Sequence, residues 1–417
     1  MREARLFLFS ALGLLAYAFI AFGLRRWEWY FLFPAFAVAG VSYWYSLDKF
    51  ESGHLLPIGL LFRMVFLFAL PNLSDDYFRF LWDGLQLLEG VNPYHFKPEA
   101  WIGEALALPN WFYLQNSLEY YSIYPPLNQY FFAGIGFLGA RSIFGFQLVA
   151  TAWFIIGDVM LYFGLKKLLK QVKLKENLVY LYWLSPLVIV ELIGNLHFEL
   201  WLMLFLVLSL SMLLKGKAWW AGLFLALSVC MKLSSLMALP LFILFIGFRK
   251  GWKMLLSFCL FTFFICVPLL DQLALEHFTN SLSLYFGKFE FHSSLFRALS
   301  WVGVEGASGI LFGLAYLAVC WMAYRRKASL PFILLLAFAA QLLTGQMAHP
   351  WYFVPVLILG ILSNEQWMSL AVLFSWLSYA TYAFYPYEQQ AWAILLSYLS
   401  MIIVFVLYKK RALRHLI

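Results

Sequence analysis

Charge is what this chain has least of. Only 12% of its 417 residues are Asp, Glu, Lys or Arg, against roughly a quarter in soluble domains, while 64% are hydrophobic and 21% aromatic. That shortage argues against a water-soluble globule. Cysteine is scarce too: Cys230, Cys259, Cys266 and Cys320 all lie inside apolar runs with no paired spacing, so neither a disulfide framework nor a zinc site is indicated. Strict apolar/polar alternation over about ten residues, the mark of a transmembrane barrel, is missing, as are internal repeats and low-complexity segments. The net charge of +8 comes from short basic clusters between apolar runs. That pattern sets membrane topology rather than forming a stripe for nucleic acid.

What is present is a succession of apolar runs of the length a helix needs to cross a hydrocarbon core about 30 Å thick. They predict spans near 6 to 24, 30 to 47, 54 to 71, 143 to 165, 177 to 194, 198 to 214, 218 to 231, 233 to 248, 254 to 270, 307 to 324, 328 to 346, 350 to 363, 367 to 385 and 390 to 408. The stretch from 218 to 248 reads as two short spans or one broken one, so about 12 to 14 spans are expected. The fold class is therefore all-α: a polytopic transmembrane bundle forming one integral-membrane domain over residues 1–417. No small-residue cleavage site precedes Arg25 and Arg26, and the first run is read as a retained helix.

Orientation follows from basic clusters that should face the cytoplasm. These are Lys166, Lys167, Lys170, Lys173 and Lys175; Lys215 and Lys217; Arg249, Lys250 and Lys253; Arg325, Arg326 and Lys327; Lys409, Lys410, Arg411 and Arg414; and Arg2, Arg5 and Lys49. Arg25 and Arg26 break the rule, since they fall on the outer side. Residues 72–142 then form the first extracytoplasmic loop, with Asp75, Asp76, Asp83, Glu89, Glu99, Glu104 and Glu119 against Arg79, Lys97 and Arg141. Counting the apolar stretch 127–140 as a span would expel the five-lysine cluster. It is read instead as an interfacial or re-entrant helix, with Pro126 in its first turn. The same topology carries Asn195, His197 and Glu199, then Lys232, the loop 271–305 with Arg297, and His349, Trp351 and Tyr352 to the outer face.

A carboxylate at the rim of a bilayer can serve a reaction whose donor is tethered in lipid. A sugar on a polyprenyl phosphate already has an anionic leaving group, so a single general base suffices, and Asp75 or Asp76 fits it. Arg79, Lys97, Lys232, Lys288 and Arg297 are candidate phosphate cations. Trp82, Asn92, Tyr94, Tyr124, Trp351 and Tyr352 are candidate sugar contacts. Several of these have plainer uses as well. Asp75 and Asp76 could cap a helix, and Asp83 could pair with Arg79 at i,i+4 rather than join Asp76 on one face. Asn-Pro-Tyr and Tyr-Pro-Pro serve equally as turn and helix-start signals, His197 and Glu199 could snorkel at a helix end, and His-Pro-Trp-Tyr could belong to an interfacial aromatic belt. Arg63 and Asp158, both mid-span, predict a buried structural ion pair.

Asp75-Asp76-Tyr77, Trp82-Asp83-Gly84, Gly90-Val91-Asn92-Pro93-Tyr94 and Tyr124-Pro125-Pro126-Leu127, in this order in the first outer loop, resemble the GT-C superfamily of integral-membrane glycosyltransferases. The likeness is to polyprenol-phosphate-mannose-dependent mannosyltransferases, including the eukaryotic enzyme that adds the first mannose of the GPI anchor. Asn195-Leu196-His197, Lys232-Leu233-Ser234 and His349-Pro350-Trp351-Tyr352 are similar to patterns in bacterial members. The resemblance implies inverting transfer of a hexose, mannose first, from a polyprenyl phosphate to a glycan or lipid acceptor. The active site would face outward from the plasma (inner) membrane, among its lipids. Asp76 matches the second acid of an Asp-x-Asp-Tyr pattern, whereas Ser74 stands where the first acid would be. That departure leaves open which carboxylate is the base and whether a divalent metal is bound. The rival reading is a secondary transporter or lipid flippase, which also needs about a dozen helices.

Overall fold

A computed structural model describes residues 2–47, 53–102 and 108–410; Lys49, Glu104, Arg411 and Arg414 lie outside them. Among the described residues the chain is all-helical, with no strand beyond an isolated bridge between Phe291 and Met347. Helices α1 (Arg2–Gly23) and α2 (Trp29–Leu47) pack as a pair, and α3 (Leu55–Met64) runs into a 3-10 turn over Val65–Phe68. Next come α4 (Asp76–Leu88), α5 (Pro126–Leu138) and the long α6 (Ile143–Gln171).

Among the described residues, four helices are long and apolar enough to cross a membrane unaided, and a fifth is added if Glu176–Trp183 and Val188–Gly194, bent by 64°, count as one span. Others of the expected runs appear as shorter apolar helices, among them Leu55–Phe68, Glu199–Leu214, Ala218–Met231, Leu233–Ile246, Leu330–Thr344 and Pro350–Leu362. The stretch 218–248 is thus two helices, parted where the backbone becomes extended at Lys232. Breaks of this kind are tolerated at membrane depth only where protein surrounds them and re-satisfies the freed backbone groups.

Burial follows the same logic. Helix Glu199–Leu214 is apolar on every side, and Leu200, Leu202, Met203, Leu204 and Leu206 are all buried at the centre of the bundle. Helices Ala307–Arg325 and Ala391–Lys409 instead expose Ile310, Leu314, Leu317, Ile402 and Ile403, as lipid-facing helices do. The expected mid-span ion pair is formed. Arg63 and Asp158 are both fully buried, Arg63 Nε donates to Asp158, and Tyr182 donates its hydroxyl to the other Asp158 oxygen. Arg63 Nη1 also donates to the Gly59 and Trp183 carbonyls, each at 2.8 Å. A charge this deep persists only when paired and hydrogen-bonded.

The first loop is built on α4 crossing α5. Tyr77, Phe78, Phe80 and Leu81 give α4 its buried face, with Phe80 stacked on Phe132 of α5 at 4.6 Å. Gly84 makes the closest approach: a Cβ there would lie 2.4 Å from the Phe132 carbonyl oxygen. Pro126 is the first residue of α5, as its missing N–H favours.

Candidate active site

The N-terminus of α4 opens into a cavity of about 1270 Å³ lined by residues from Arg26 to Gln389. Asp75 occupies the cap position of α4 but its side chain makes no capping hydrogen bond; both carboxylates are turned to other partners. Ser74 Oγ accepts from the Asp76 N–H at 3.3 Å, and the helix N-terminus favours the negative charge gathered there. Asp75 forms an ion pair with Arg26. Arg26 also donates to Tyr387 Oη at 2.6 Å and lies 4.8 Å from the Tyr382 ring centroid. Asp76 accepts from Asn116 Nδ2 at 2.8 Å, and no described residue forms an ion pair with it. Burial raises the Asp76 carboxyl above its ordinary pKa, with the Asn116 hydrogen bond acting against it. Burial likewise raises Asp75, opposed by Arg26.

The facing wall is aromatic and basic. Phe291, His349, Trp351 and His197 form one stack of rings, with successive centroids 4.0, 4.3 and 3.6 Å apart. Burial lowers the pKa of both histidines, reinforced by Lys232, so they are neutral. Lys232 pairs with Glu199 and lies 4.3 Å from the Tyr352 ring centroid; the Tyr352 and Tyr285 hydroxyls share a hydrogen bond of 2.6 Å. Arg297 bonds Glu290 at 3.2 Å. Each of the four Lys and Arg residues lining the cavity therefore already holds a carboxylate, since Arg79 pairs with Asp83 at 2.6 Å.

Of the residues expected at the site, Asp75, Asp76, Arg79, Tyr124, His197, Glu199, Lys232, Arg297, His349, Trp351 and Tyr352 line this cavity. The others are placed elsewhere, each for a visible reason. Asp83 is buried beneath α4, held by Arg79, Ser122 and Gln129, so the i,i+4 pairing prevails over a shared face with Asp76. Asn92 donates to the Leu269 carbonyl at 2.7 Å and accepts the Tyr94 N–H, while Tyr94 donates to the Tyr124 carbonyl; Asn-Pro-Tyr thus fastens the loop rather than facing the cavity. Trp82 packs edge-on to Phe112, Lys97 bonds Glu99, and Asn195 bonds Glu191 behind the cavity wall. Lys288 is likewise not among the lining residues.

Sequence reasoning passed over Arg26, Asn116, Glu290 and Tyr382. Arg26 did carry a signal, being one of two arginines on the wrong side for the positive-inside pattern. Asn116 carried none, because it follows a short 3-10 helix over Asn110–Leu114 with no motif.

The divalent metal left open above fits this geometry poorly. Hard cations need several converging oxygens, yet Asp75 is held by Arg26, and no group of three or more His, Cys, Asp or Glu able to hold a metal occurs among the described residues.

Residues 7–247, more than half of the chain, match the model of a family described as alpha-(1->6)-mannopyranosyltransferase, N-terminal domain. No curated protein matches the chain. The matched region contains Asp75, Asp76, His197 and Lys232, whereas Arg297, His349, Trp351 and Tyr352 reach the same cavity from beyond it.

Proposed function

The chain belongs to the alpha-(1->6)-mannopyranosyltransferase family and is a membrane mannosyltransferase, and we propose that Asp76 is its general base, with a polyprenyl-phosphate mannose as donor. The observation that carries this reading is the state of the cavity carboxylates. Asp75, Glu199 and Glu290 are each committed to a cation and Glu388, also in the lining, is exposed, whereas Asp76 is part-buried and accepts from the neutral Asn116 amide. An ion-paired carboxylate is a poor proton acceptor; a half-buried, unpaired one with a raised pKa is a better one.

In this reading Asp76 takes the proton of the acceptor hydroxyl as that oxygen attacks the anomeric carbon. The bond to the phosphate oxygen breaks, and the phosphate leaves as an anion without needing an acid. Lys232 and Arg26 are the cations near enough to the Asp76 end of the cavity to meet the growing negative charge. In-line displacement inverts the anomeric centre, so the α-mannoside of the family's description requires a β-linked donor. The basic clusters support a cavity opening to the outer face of the plasma membrane, where a glycan or lipid acceptor meets the lipid-tethered donor.

The test is transfer by purified protein from a panel of polyprenyl-phosphate sugars, with Asp76→Asn and Asp75→Asn compared. Loss of a general base costs about 10² to 10⁴ in kcat. That loss is expected for Asp76→Asn, with a smaller one for Asp75→Asn. Full turnover by Asp76→Asn would remove this carboxylate from the mechanism.

A further inference from the structure

Directly behind the His197–Trp351 pair lies a carboxylate that the reaction above does not use. Glu191 is fully buried and lies outside the cavity lining. Trp376 Nε1 donates to its Oε1 at 2.9 Å, the Tyr379 hydroxyl at 3.1 Å, and Asn195 Nδ2 donates to Oε2 at 3.0 Å. On the other side, His197 Nε2 lies 3.8 Å from Oε2, without a hydrogen-bond partner although buried. Two backbone irregularities create this arrangement. Val188–Gly194 is a π-helical turn, a form concentrated at functional sites. Leu196 then has φ of 58°, a left-handed conformation that is unfavourable for a non-glycine residue. Strain of that kind persists where surrounding structure enforces it, and here it swings His197 from the Glu191 turn into the stack against Trp351.

We infer that Glu191 is a positioning residue for mannosyl transfer, fixing His197 as the tautomer with its proton on Nε2, so that Nδ1 meets the substrate as a hydrogen-bond acceptor. The inference deepens the mannosyltransferase reading and rests on it for its kinetic part. Its chemical content is specific. An imidazole with its N–H turned toward a buried carboxylate offers the cavity only a lone pair. A lone pair can accept from a sugar hydroxyl but cannot donate to a phosphate oxygen. His197 therefore reads the transferred sugar, and phosphate recognition falls to the cations. Burial, Lys232 and His349 keep the ring neutral, as this role requires.

Two measurements test it. The chain has 7 histidines, few enough for 15N spectra of ring-labelled protein in nanodiscs, with His197 assigned by its loss in His197→Gln. The wild type should show His197 protonated on Nε2, and Glu191→Gln should abolish that preference; a wild-type ring protonated on Nδ1 overturns the inference. In transfer assays with polyprenyl-phosphate mannose, Glu191→Gln should lower kcat/KM by about tenfold or more, by analogy with the partners that orient metal-bound histidines. It should cause no further loss in a His197→Gln background. Equal losses in both backgrounds would mark Glu191 as merely structural. Glu191→Asp, which keeps the charge, covers the case in which Glu191→Gln fails to fold. Should the wild type ignore this donor altogether, the donor assignment fails, while the tautomer spectrum still decides the role of Glu191.

Discussion

Gly84→Ala is a single-methyl change outside the cavity that should disable it. The new Cβ would lie 2.4 Å from the Phe132 carbonyl oxygen, 2.5 Å from its carbonyl carbon and 3.0 Å from the Ala133 nitrogen. All three are α5 backbone atoms, so no side chain can rotate away. Reaching ordinary contact at 3.4 Å requires α4 to shift from α5 by about 1 Å. Overpacking of this kind costs about 1 to 3 kcal/mol. The same displacement carries Asp75 and Asp76, nine and eight residues back along a rigid helix, away from Arg26 and Asn116. A misplacement of about 1 Å can cost about 100-fold in rate. The unfolding temperature in detergent and the rate of mannosyl transfer should therefore both fall, the rate by about 100-fold. A Gly84→Ala enzyme with wild-type turnover would refute the claim that the α4–α5 crossing sets the position of the proposed base.

Asp76 supplies a second, opposite pairing of effects. Its pKa is raised by burial, so its protonated form, inactive in the proposed mechanism, persists to higher pH than the ordinary value of about 3.9. kcat/KM should fall as pH drops through an apparent pKa above that value. Because the folded state binds this proton more tightly than the unfolded one, stability decreases as pH rises through the same range, and Asp76→Asn should be at least as stable as wild type at pH 7 while losing activity. Asp83→Asn should do the reverse of a catalytic variant, lowering stability by about 3 kcal/mol by stranding buried Arg79, which unfolding by heat would register. Arg63→Met and Asp158→Leu should each destabilise by about 3 to 5 kcal/mol, whereas the double variant recovers most of that loss. Additive losses would show that the pair is not coupled.

The sequence exposed most of this site because charge is costly in a membrane protein. Asp76, His197, Lys232 and Tyr352 stand out against apolar runs, and helix topology alone brings them to one end. What it hid were choices settled by a few ångströms. Nothing in the spacing of Arg79 and Asp83 separates an i,i+4 pair from two site residues, since both uses need the same helix. Asn92 and Tyr94 resembled ligands because a loop tie and a sugar contact draw on the same polar groups. Glu191 was concealed inside an apolar stretch read as a plain span, where only a π-turn and a left-handed leucine give it a purpose. Trp-Asp-Gly proved to be a packing motif as much as a chemical one, its glycine required by the backbone of α5.

The pairing of every cavity cation with a resident acid makes anion capture a contest of displacement. An incoming negatively charged head group must take Lys232 from Glu199 or Arg26 from Asp75, so its gain is the difference between two ion pairs rather than the whole of one. The same balance helps it depart, because the waiting carboxylate reclaims its partner once the group lets go.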